Sequence, residues 1–315
     1  MSQTAPAVAG AAGHLAGRTF VILNPAAGNE DCQRLRRLIG GAFAARSAPF
    51  DLVETAGPGD AERLAREAAT LGFRAVCVVG GDGTLAEAAT ALCGTDTPLA
   101  VIPRGTANQV AQNLRIPVDL EGAVEVAVNG VARPIDLGRI DGRAFLLVAG
   151  AGFDAAIMAS ATRVLKERWG FGAYVFAAVK EALAMTPVRF RLCIDGRDLE
   201  IDAVTIMVAN VGKLFSGFLP FRFPLGPSRT GSWDDGLFDV VALAPRRLPE
   251  FAPILWRAAR RRFAGDERLI HFQAQEVTID ADPPIAVQVD GDAAGETPVT
   301  ARVAPSAMRF LVPDG

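Results

Sequence analysis

Three short segments rich in glycine and other small residues are the most informative feature of the sequence. They are NPAAG (24–28), GGDGT (80–84) and PRGTAN (103–108), and each follows an apolar run and precedes a helical pattern. Glycine permits tight turns, and the N–H groups at the start of a helix attract anions. A single turn of this kind could equally be a tight reversal of the chain without any bound anion. Three at successive strand ends favour a phosphate-binding site for a nucleotide, since parallel strands end at one sheet edge.

Carboxylates beside glycine offer a second kind of chemistry. Asp82 lies within the second turn, and Asp290 follows an apolar run in VQVDGD (287–292). An acid just past a buried strand can be desolvated enough to accept a proton, so Asp290 is the candidate general base. The alternative is that Asp290 and Gly291 only form a hairpin turn, because Asp-Gly is a strong turn signal.

The N-terminal half contains no lysine that could bind a phosphate. The three lysines are Lys166, Lys180 and Lys213, so none lies in the first 165 residues. Neither a GxGxxG dinucleotide fingerprint nor a GxxxxGK[ST] P-loop is present. A phosphate site in this half must therefore use backbone N–H groups, arginine or a metal ion.

Alternating strands and helices position the three turns. From residue 18 to about 137, apolar runs of strand length alternate with helical patterns, which predicts a parallel sheet covered on both faces. Asn29 and Asp60 are placed to cap the first two helices, and Gly72 to end the second. The predicted strands are 18–25, 50–55, 74–81 and 98–103, and the later predicted helices are 84–93, 106–114 and 119–128.

The rhythm changes after residue 138, where alternating apolar runs are joined by Asp-Gly pairs. This pattern is the hairpin signal and predicts an antiparallel β domain. Two helical segments, 160–185 and 248–264, interrupt the strands.

Composition limits the function classes. The 315 residues suffice for two domains, and half of them are hydrophobic, which excludes a disordered chain. The net charge of −3 gives no basic field for nucleic acid. Four scattered cysteines favour a reducing compartment, and the small-residue N-terminus predicts a floppy leader without a signal peptide. The longest apolar stretch, 144–161, is interrupted by glycine and aspartate and is a poor membrane span, so a cytoplasmic location is expected.

The three turns, followed by IDLG (135–138), GAGFDA (150–155) and VQVDGD, resemble the diacylglycerol kinase catalytic family, and the match runs in order from about 18 to 312. NAD kinases and phosphofructokinases carry turns similar to GGDGT, and the later motifs separate the family from them. The small-residue composition predicts a disordered leader (1–17). The resemblance implies a phosphofructokinase-like or NAD-kinase-like α/β nucleotide domain (18–137), a β-sandwich lipid domain (138–301) and a final strand (302–315) that returns to the first domain.

ATP and Mg²⁺ are the cofactors that the resemblance implies. Asp82 is then the link to the catalytic Mg²⁺ through water, Asp290 the base and Asp292 its catalytic partner. Asp136 belongs to the same acidic network, and GSWDDGLFDV (231–240) resembles a structural metal loop with ligands from Ser232, Asp235 and Leu237. For both Asp136 and the loop 231–240, the alternative is an ordinary turn with acidic residues that binds no metal. The matched ATP-contacting positions are Asn24, Pro25, Ala26, Ala27, Gly28, Thr55, Gly80, Gly81, Asp82, Gly83, Thr84, Leu85, Ala86, Glu87, Gly105, Thr106 and Asn108.

Two departures from the family pattern bear on activity. The family commonly has an acid where this chain has Gln109, and it usually has DGE where this chain has DGD with Asp292. Glutamine can hold a water molecule but cannot offset positive charge. The sequence therefore leaves three hypotheses: a lipid kinase, a soluble kinase of the NAD-kinase type, and a lipid- or nucleotide-binding regulator without catalysis.

The lipid side is less specific. The segments 168–185 and 214–223 are rich in aromatic residues, which indicates either core or an acyl-chain cleft. The segment 246–263 carries six arginines among apolar residues and is typical either of a solvated helix or of a surface on anionic headgroups. A lipid substrate and transient peripheral contact with the inner membrane face are expected. The sequence leaves four lipids open as the acceptor: diacylglycerol, ceramide, a sphingoid base and phosphatidylglycerol. It also leaves open whether the protein forms a homodimer.

Overall fold

A computed structural model provides the fold, and the chain divides into two compact units. Unit 1 comprises Met1–Ile135 and Ala307–Gly315, and unit 2 comprises Asp136–Ser306. The described residues are 15–28, 31–152, 187–211, 213–214, 223–224, 233–245, 247–250, 253–254, 256–257, 260, 262–263 and 265–314.

Unit 1 is an α/β domain built on a mostly parallel sheet, with strand order β2-β1-β3-β4-β18. Every residue of β1, β3 and β4 is buried, as expected for strands covered by helices on both faces. The sheet is completed from the end of the chain, because Phe310 pairs in parallel with Leu99. The strands are β1 (Thr19–Leu23), β2 (Phe50–Glu54), β3 (Ala75–Gly80), β4 (Leu99–Pro103) and β18 (Val299–Val312).

The helices of unit 1 begin at positions that differ from several predictions. Asp31 caps the first helix by accepting from the Gln33 and Arg34 amides, while the predicted cap Asn29 lies outside the described residues. The prediction for Asp60 was wrong by one residue, because Gly59 is the cap and Asp60 opens the helix. Gly72 ends that helix at a φ of 78°, as predicted. The helices are α1 (Cys32–Ala45), α2 (Asp60–Leu71), α3 (Asp82–Leu92), α4 (Gln109–Asn113) and α5 (Leu120–Asn129).

Two of these helices start close to the candidate site. The predicted helix 84–93 begins earlier, at Asp82, directly after the glycine pair. The predicted helix 106–114 begins only at Gln109, because Asn108 has a φ of 47° in the left-handed region and cannot belong to a helix.

Unit 2 is an antiparallel β structure, as predicted. One sheet has the order β14-β13-β10-β7-β16-β17, and a second set pairs the first half of β18 with β15, β8 and β9. A buried cluster between them draws Ile206 and Phe238 from the first sheet and Phe190 and Ile279 from the second set. The strands are β5 (Val131–Ile140), which begins in unit 1, β6 (Arg143–Phe145), β7 (Val148–Gly152), β8 (Val188–Ile194), β9 (Arg197–Ala203), β10 (Thr205–Ala209), β11 (Lys213–Leu214), β12 (Phe223–Pro224), β13 (Phe238–Leu243), β14 (Leu269–Ala274), β15 (Glu276–Asp282), β16 (Ala286–Val289) and β17 (Asp292–Glu296).

The Asp-Gly pairs of unit 2 form two-residue hairpin turns. Asp141-Gly142 joins β5 to β6, Asp195-Gly196 joins β8 to β9, and Asp290-Gly291 joins β16 to β17. All six residues have positive φ, the conformation that favours Asp-Gly at these turns. Asp290 therefore does form a hairpin turn, and any chemistry depends on where its carboxylate lies.

Several predicted segments fall on residues that are not described. These are the leader up to residue 14, the helical segment 160–185 with its aromatic residues, and most of 214–223. In the segment 248–264, Leu248–Glu250 form a 3-10 helix, and residues 253–254 and 256–257 are helical. Across the described part of the chain, no helix has both the length and the apolar character needed to cross a membrane.

Candidate active site

The three glycine turns of unit 1 lie side by side at the ends of β1, β3 and β4. The Arg104 amide donates to the Gly80 carbonyl at 2.9 Å, which joins the second turn to the third. A Cβ atom on Gly105 would lie 2.6 Å from the Cα of Gly81, so only glycine fits there. Gly28 has a φ of 80°, and a Cβ on it would lie 3.2 Å from the Arg104 carbonyl. Close backbone packing thus explains these glycines, and it gathers the N–H groups of three turns in one place.

Two asparagines shape the turns from within. The Asn24 side chain accepts from the Ala26 amide at 2.9 Å and donates to the Thr84 hydroxyl at 2.8 Å, which ties the first turn to the second. The Asn108 side chain accepts from the Gly105 amide and donates to the Gly105 carbonyl, both at 2.8 Å. Both side chains are therefore part of the turn framework.

The start of α3 differs from the other helix starts in the described part of the chain. Asp31 caps α1 and Asp119 caps α5. The start of α2 receives Glu87, which accepts from the Gly59 amide at 2.9 Å and the Ala61 amide at 3.2 Å. The cap position of α3 is Gly81, which makes no side-chain hydrogen bond. An uncapped helix start beside glycine turns is the arrangement that binds phosphate.

Asp82 connects the second turn to α4. Its two carboxylate oxygens accept from the Gln109 amide at 3.0 Å and the Val110 amide at 3.1 Å. Burial of this carboxyl group raises the pKa of Asp82 above its ordinary value, and the two amide hydrogen bonds oppose that shift. Each carboxylate oxygen has a second lone pair, which is what a metal-bound water would require.

The remaining predicted ATP-contacting positions differ in what they can present. Leu85 and Ala86 are buried, so contact with a ligand could involve only their backbone. The Glu87 carboxylate is occupied by the amides at the start of α2. Thr55 lies beside the first turn, because its amide donates to the Leu23 carbonyl at 2.9 Å. Exposed or half-exposed positions beside the turns are Pro25, Ala26, Ala27, Gly83 and Thr106.

In unit 2, the Asp290 carboxylate is held by backbone amides. It accepts from Leu146 at 2.8 Å and from Leu147 and Val148, each at 2.9 Å. These bonds stabilise the ionised carboxylate and hold it in one orientation. Asp292, by contrast, is exposed and forms an ion pair with Arg143 at 2.9 Å.

Asn210 is a site residue that sequence reasoning missed. It is buried, its amide group donates to the Asp136 carbonyl at 2.8 Å and the Leu146 carbonyl at 3.2 Å, and its backbone N–H donates to the Leu147 carbonyl. It therefore holds the same backbone that presents amides to Asp290. The available signal was a polar residue directly after the fully buried strand β10.

The acidic loop of unit 2 is organised around Asp136. This buried carboxylate accepts from the Gly236 amide and the Ser306 amide, each at 2.7 Å. Asp235 accepts from the Leu237 amide at 3.1 Å, and burial raises the pKa of its carboxyl, with further contributions from neighbouring acids. Ser232 lies outside the described residues. No group of three potential metal-ligating side chains occurs in the described residues, so the metal role of this loop stays a prediction.

Comparison with known proteins identifies the family. The profile of the diacylglycerol kinase catalytic domain matches residues 18–140, and that of the YegS C-terminal NAD kinase beta sandwich-like domain matches residues 147–312. A diacylglycerol kinase of Bacillus subtilis is 29% identical over 284 residues, which cover 89% of this chain and 91% of that protein. A YegS-like lipid kinase of Pseudomonas putida is 28% identical over 260 residues, which cover 82% and 83% of the two chains.

Solved structures agree on the fold. A diacylglycerol kinase from Bacillus anthracis superposes with a TM-score of 0.73 at 22% identity, covering 95% of this chain and 97% of that one. The α/β unit with its glycine turns and the antiparallel unit together define a two-domain lipid kinase. The chain belongs to the diacylglycerol kinase catalytic family, of the YegS type.

Proposed function

We propose that this protein transfers the γ-phosphate of ATP to a hydroxyl group of a membrane lipid, with diacylglycerol, ceramide, a sphingoid base and phosphatidylglycerol as the candidate acceptors. The single observation that carries the nucleotide half of the proposal is the uncapped start of α3 among three glycine turns. The names of the relatives support the lipid half, because they include diacylglycerol kinases and a YegS-like lipid kinase.

In unit 1, the turn amides and the start of α3 bind the phosphates. The partial positive charge of a helix start and its free N–H groups favour the phosphate anion. The hydrogen bond between Asn24 and Thr84 keeps the first and second turns in register with each other. Gly81 and Gly105 allow the second and third turns to approach each other closely, which keeps the backbone N–H groups of the two turns together.

Asp82 fits a role as the carboxylate of a Mg²⁺ site. Mg²⁺ keeps several waters and is commonly bound by one or two carboxylates together with the substrate phosphates. A cluster of three acids is therefore unnecessary, and the unshared lone pairs of Asp82 suit a metal-bound water. When bound, Mg²⁺ neutralises charge on the phosphates.

Asp290 is the proposed general base. The lipid hydroxyl oxygen forms a bond to the γ-phosphorus, the bond from that phosphorus to the β–γ bridging oxygen breaks, and ADP leaves. Asp290 takes the hydroxyl proton, and its three amide bonds keep the accepting oxygen oriented. Asp292 lies two residues further and modulates the charge near Asp290.

A non-catalytic regulator is the second candidate, and Gln109 is the observation that favours it. The Gln109 backbone is joined to Asp82, so the missing acid of the family pattern falls beside the proposed Mg²⁺ carboxylate. A soluble NAD-kinase-type enzyme has less support, because the N-terminal profile is that of diacylglycerol kinases. We further propose a cytoplasmic protein that contacts the inner membrane face transiently and binds no nucleic acid.

The test is transfer of labelled γ-phosphate from ATP with Mg²⁺ to a panel of lipids in mixed micelles, with NAD as the soluble acceptor. We expect label in a lipid and none in NAD. Label in NAD alone would replace the proposal with the soluble kinase. ATP binding without any labelled product would favour the regulator.

A further inference from the structure

The segment 246–263 is unusual in its charge. It contains six arginines and a single acid, Glu250, in a chain whose net charge is −3. Such a local excess of arginine attracts anionic partners even when the protein as a whole is acidic. The described residues of this segment show which parts are anchored in unit 2 and which are exposed.

Its apolar residues divide into two groups. Ile254 is completely buried and Phe263 is 7% exposed, so these two anchor the segment. Trp256 is 57% exposed, and the Arg260 guanidinium lies over its ring at 4.1 Å from the ring centroid. A solvated helix with an apolar underside explains Ile254 and Phe263. It does not explain a large exposed indole with an arginine stacked on it.

Of the acids near this segment, Asp266 is already paired with arginines. Asp266 is bound by two arginines, with Nε–Oδ distances of 3.3 Å to Arg257 and 2.9 Å to Arg268. Glu250 is partly buried and Glu267 is exposed. Two exposed arginines lie within a turn of Trp256, because the Arg260 amide donates to the Trp256 carbonyl at 3.2 Å and the Arg262 amide donates to the Arg257 carbonyl at 2.9 Å. We call Trp256, Arg260 and Arg262 the arginine–tryptophan surface.

We propose that the arginine–tryptophan surface docks this protein onto an anionic phospholipid membrane. The indole suits the membrane–water interface, where tryptophan is enriched, because it has an apolar body and a polar N–H. The guanidinium groups suit lipid phosphates, to which they can donate paired hydrogen bonds. This inference rests on the proposed function in one respect: a lipid kinase must reach an acceptor that lies in a membrane.

The first test is co-sedimentation of the purified full-length protein with vesicles of phosphatidylcholine alone or with about 30% phosphatidylglycerol, whose surface potential attracts arginine. We expect preferential binding to the anionic vesicles. The double variant Arg260→Gln/Arg262→Gln should bind them about 25-fold more weakly, since each arginine near an anionic surface contributes about fivefold. Trp256→Ala should weaken binding to them as well, and it should do so even at high salt.

A matched control removes the same charge elsewhere. The variant Arg66→Gln/Arg302→Gln changes two side chains that are 61% and 63% exposed, and it should bind vesicles like the unmodified protein. Equal loss in the control, or unchanged binding in the Arg260/Arg262 variant, would overturn the proposal. Binding of the unmodified protein to RNA but not to anionic vesicles would overturn it too.

A second readout separates this surface from the reaction itself. A short-chain diacylglycerol dissolved as monomers can be phosphorylated without a membrane, and here the Arg260/Arg262 variant should match the unmodified protein. With long-chain diacylglycerol in anionic vesicles, the variant should be slower. If the unmodified protein phosphorylates neither acceptor yet still sediments with anionic vesicles, the proposed function fails while the docking surface stands.

Discussion

The two units use carboxylates in different ways, and the difference indicates where a ligand can bind. In unit 1, Asp82 accepts from two amides of α4, while the start of α3 beside it has no side-chain cap among the described residues. In unit 2, three amides converge on Asp290 itself. Unit 1 thus keeps donors for an incoming anion, and unit 2 uses its donors to hold an anion that the protein supplies. The comparison predicts that variants in unit 1 alter nucleotide binding, whereas variants in unit 2 alter the chemical step.

The largest effect is expected from Asp290→Asn. A general base contributes about 10²–10⁴-fold to rate, so kcat for lipid phosphorylation should fall by that factor. The KM for ATP should stay unchanged, because the turns of unit 1 are intact. Steady-state kinetics on a folded variant measures both constants. Full retention of kcat would mean that Asp290 serves only the hairpin.

Gly105→Ala should have the next largest effect and should act on nucleotide binding. Its Cβ would lie 2.6 Å from the Gly81 Cα, so the two turns must separate. Overpacking of this kind costs about 1–3 kcal/mol of stability. We expect weaker binding of an ATP analogue by calorimetry and a lower free energy of unfolding.

Gly41→Ala is the control for that variant. Gly41 lies in α1, and a Cβ there would meet nothing within 4 Å. Alanine also favours helix more than glycine does, so stability should rise slightly and nucleotide affinity should not change. A Gly105→Ala protein that binds the analogue normally would show that the turns do not need their close approach.

Asn210→Ala should have a moderate effect on the unit 2 side of the comparison. It removes hydrogen bonds to the Asp136 and Leu146 carbonyls, which costs about 1–3 kcal/mol when the groups left behind are buried. Because Leu146 donates to Asp290, kcat should fall while the KM for ATP is unchanged. Urea denaturation and kinetics test this, with Asn129→Ala as the control, since Asn129 bonds only the exposed Glu125 among the contacts seen.

The smallest effect is a pH dependence that originates at Asp82. Burial raises the pKa of this carboxyl in the folded protein, so the folded state binds its proton more tightly than the unfolded state does. The corresponding stability is fully present below the ordinary pKa of 3.8 and is lost as pH rises through the higher folded value. The free energy of unfolding of the unmodified protein minus that of Asp82→Asn should therefore decrease as pH rises from acid.

Urea denaturation of both proteins across the acid range measures that difference. Other carboxylates titrate equally in the two proteins, so they cancel. If this signed difference increases with pH instead, the two amide hydrogen bonds outweigh burial at Asp82.

Local patterns allowed much of the fold to be predicted. The four strands of the α/β unit are seen near their predicted positions, and Asp141-Gly142 and Asp195-Gly196 form the predicted hairpins. Helix starts were less predictable. Asn108 adopts a left-handed conformation, so α4 begins only at the next residue, Gln109. Gly59 rather than Asp60 caps α2. Each of these starts is decided by a carboxylate far along the chain, Asp82 in one case and Glu87 in the other.

The sequence by itself determined the types of element, the glycine turns and the family resemblance, because periodicity, turn chemistry and motif order are local properties of the chain. Only the tertiary structure decided which polar groups already have a hydrogen-bond partner within the protein. The pairings of Glu87 with the start of α2, of Asn210 with Leu146 and of Asp290 with the amides of 146–148 join residues from 26 to 144 positions apart. Such partners depend on chain packing, and among the described residues that packing provides no side-chain cap at the start of α3.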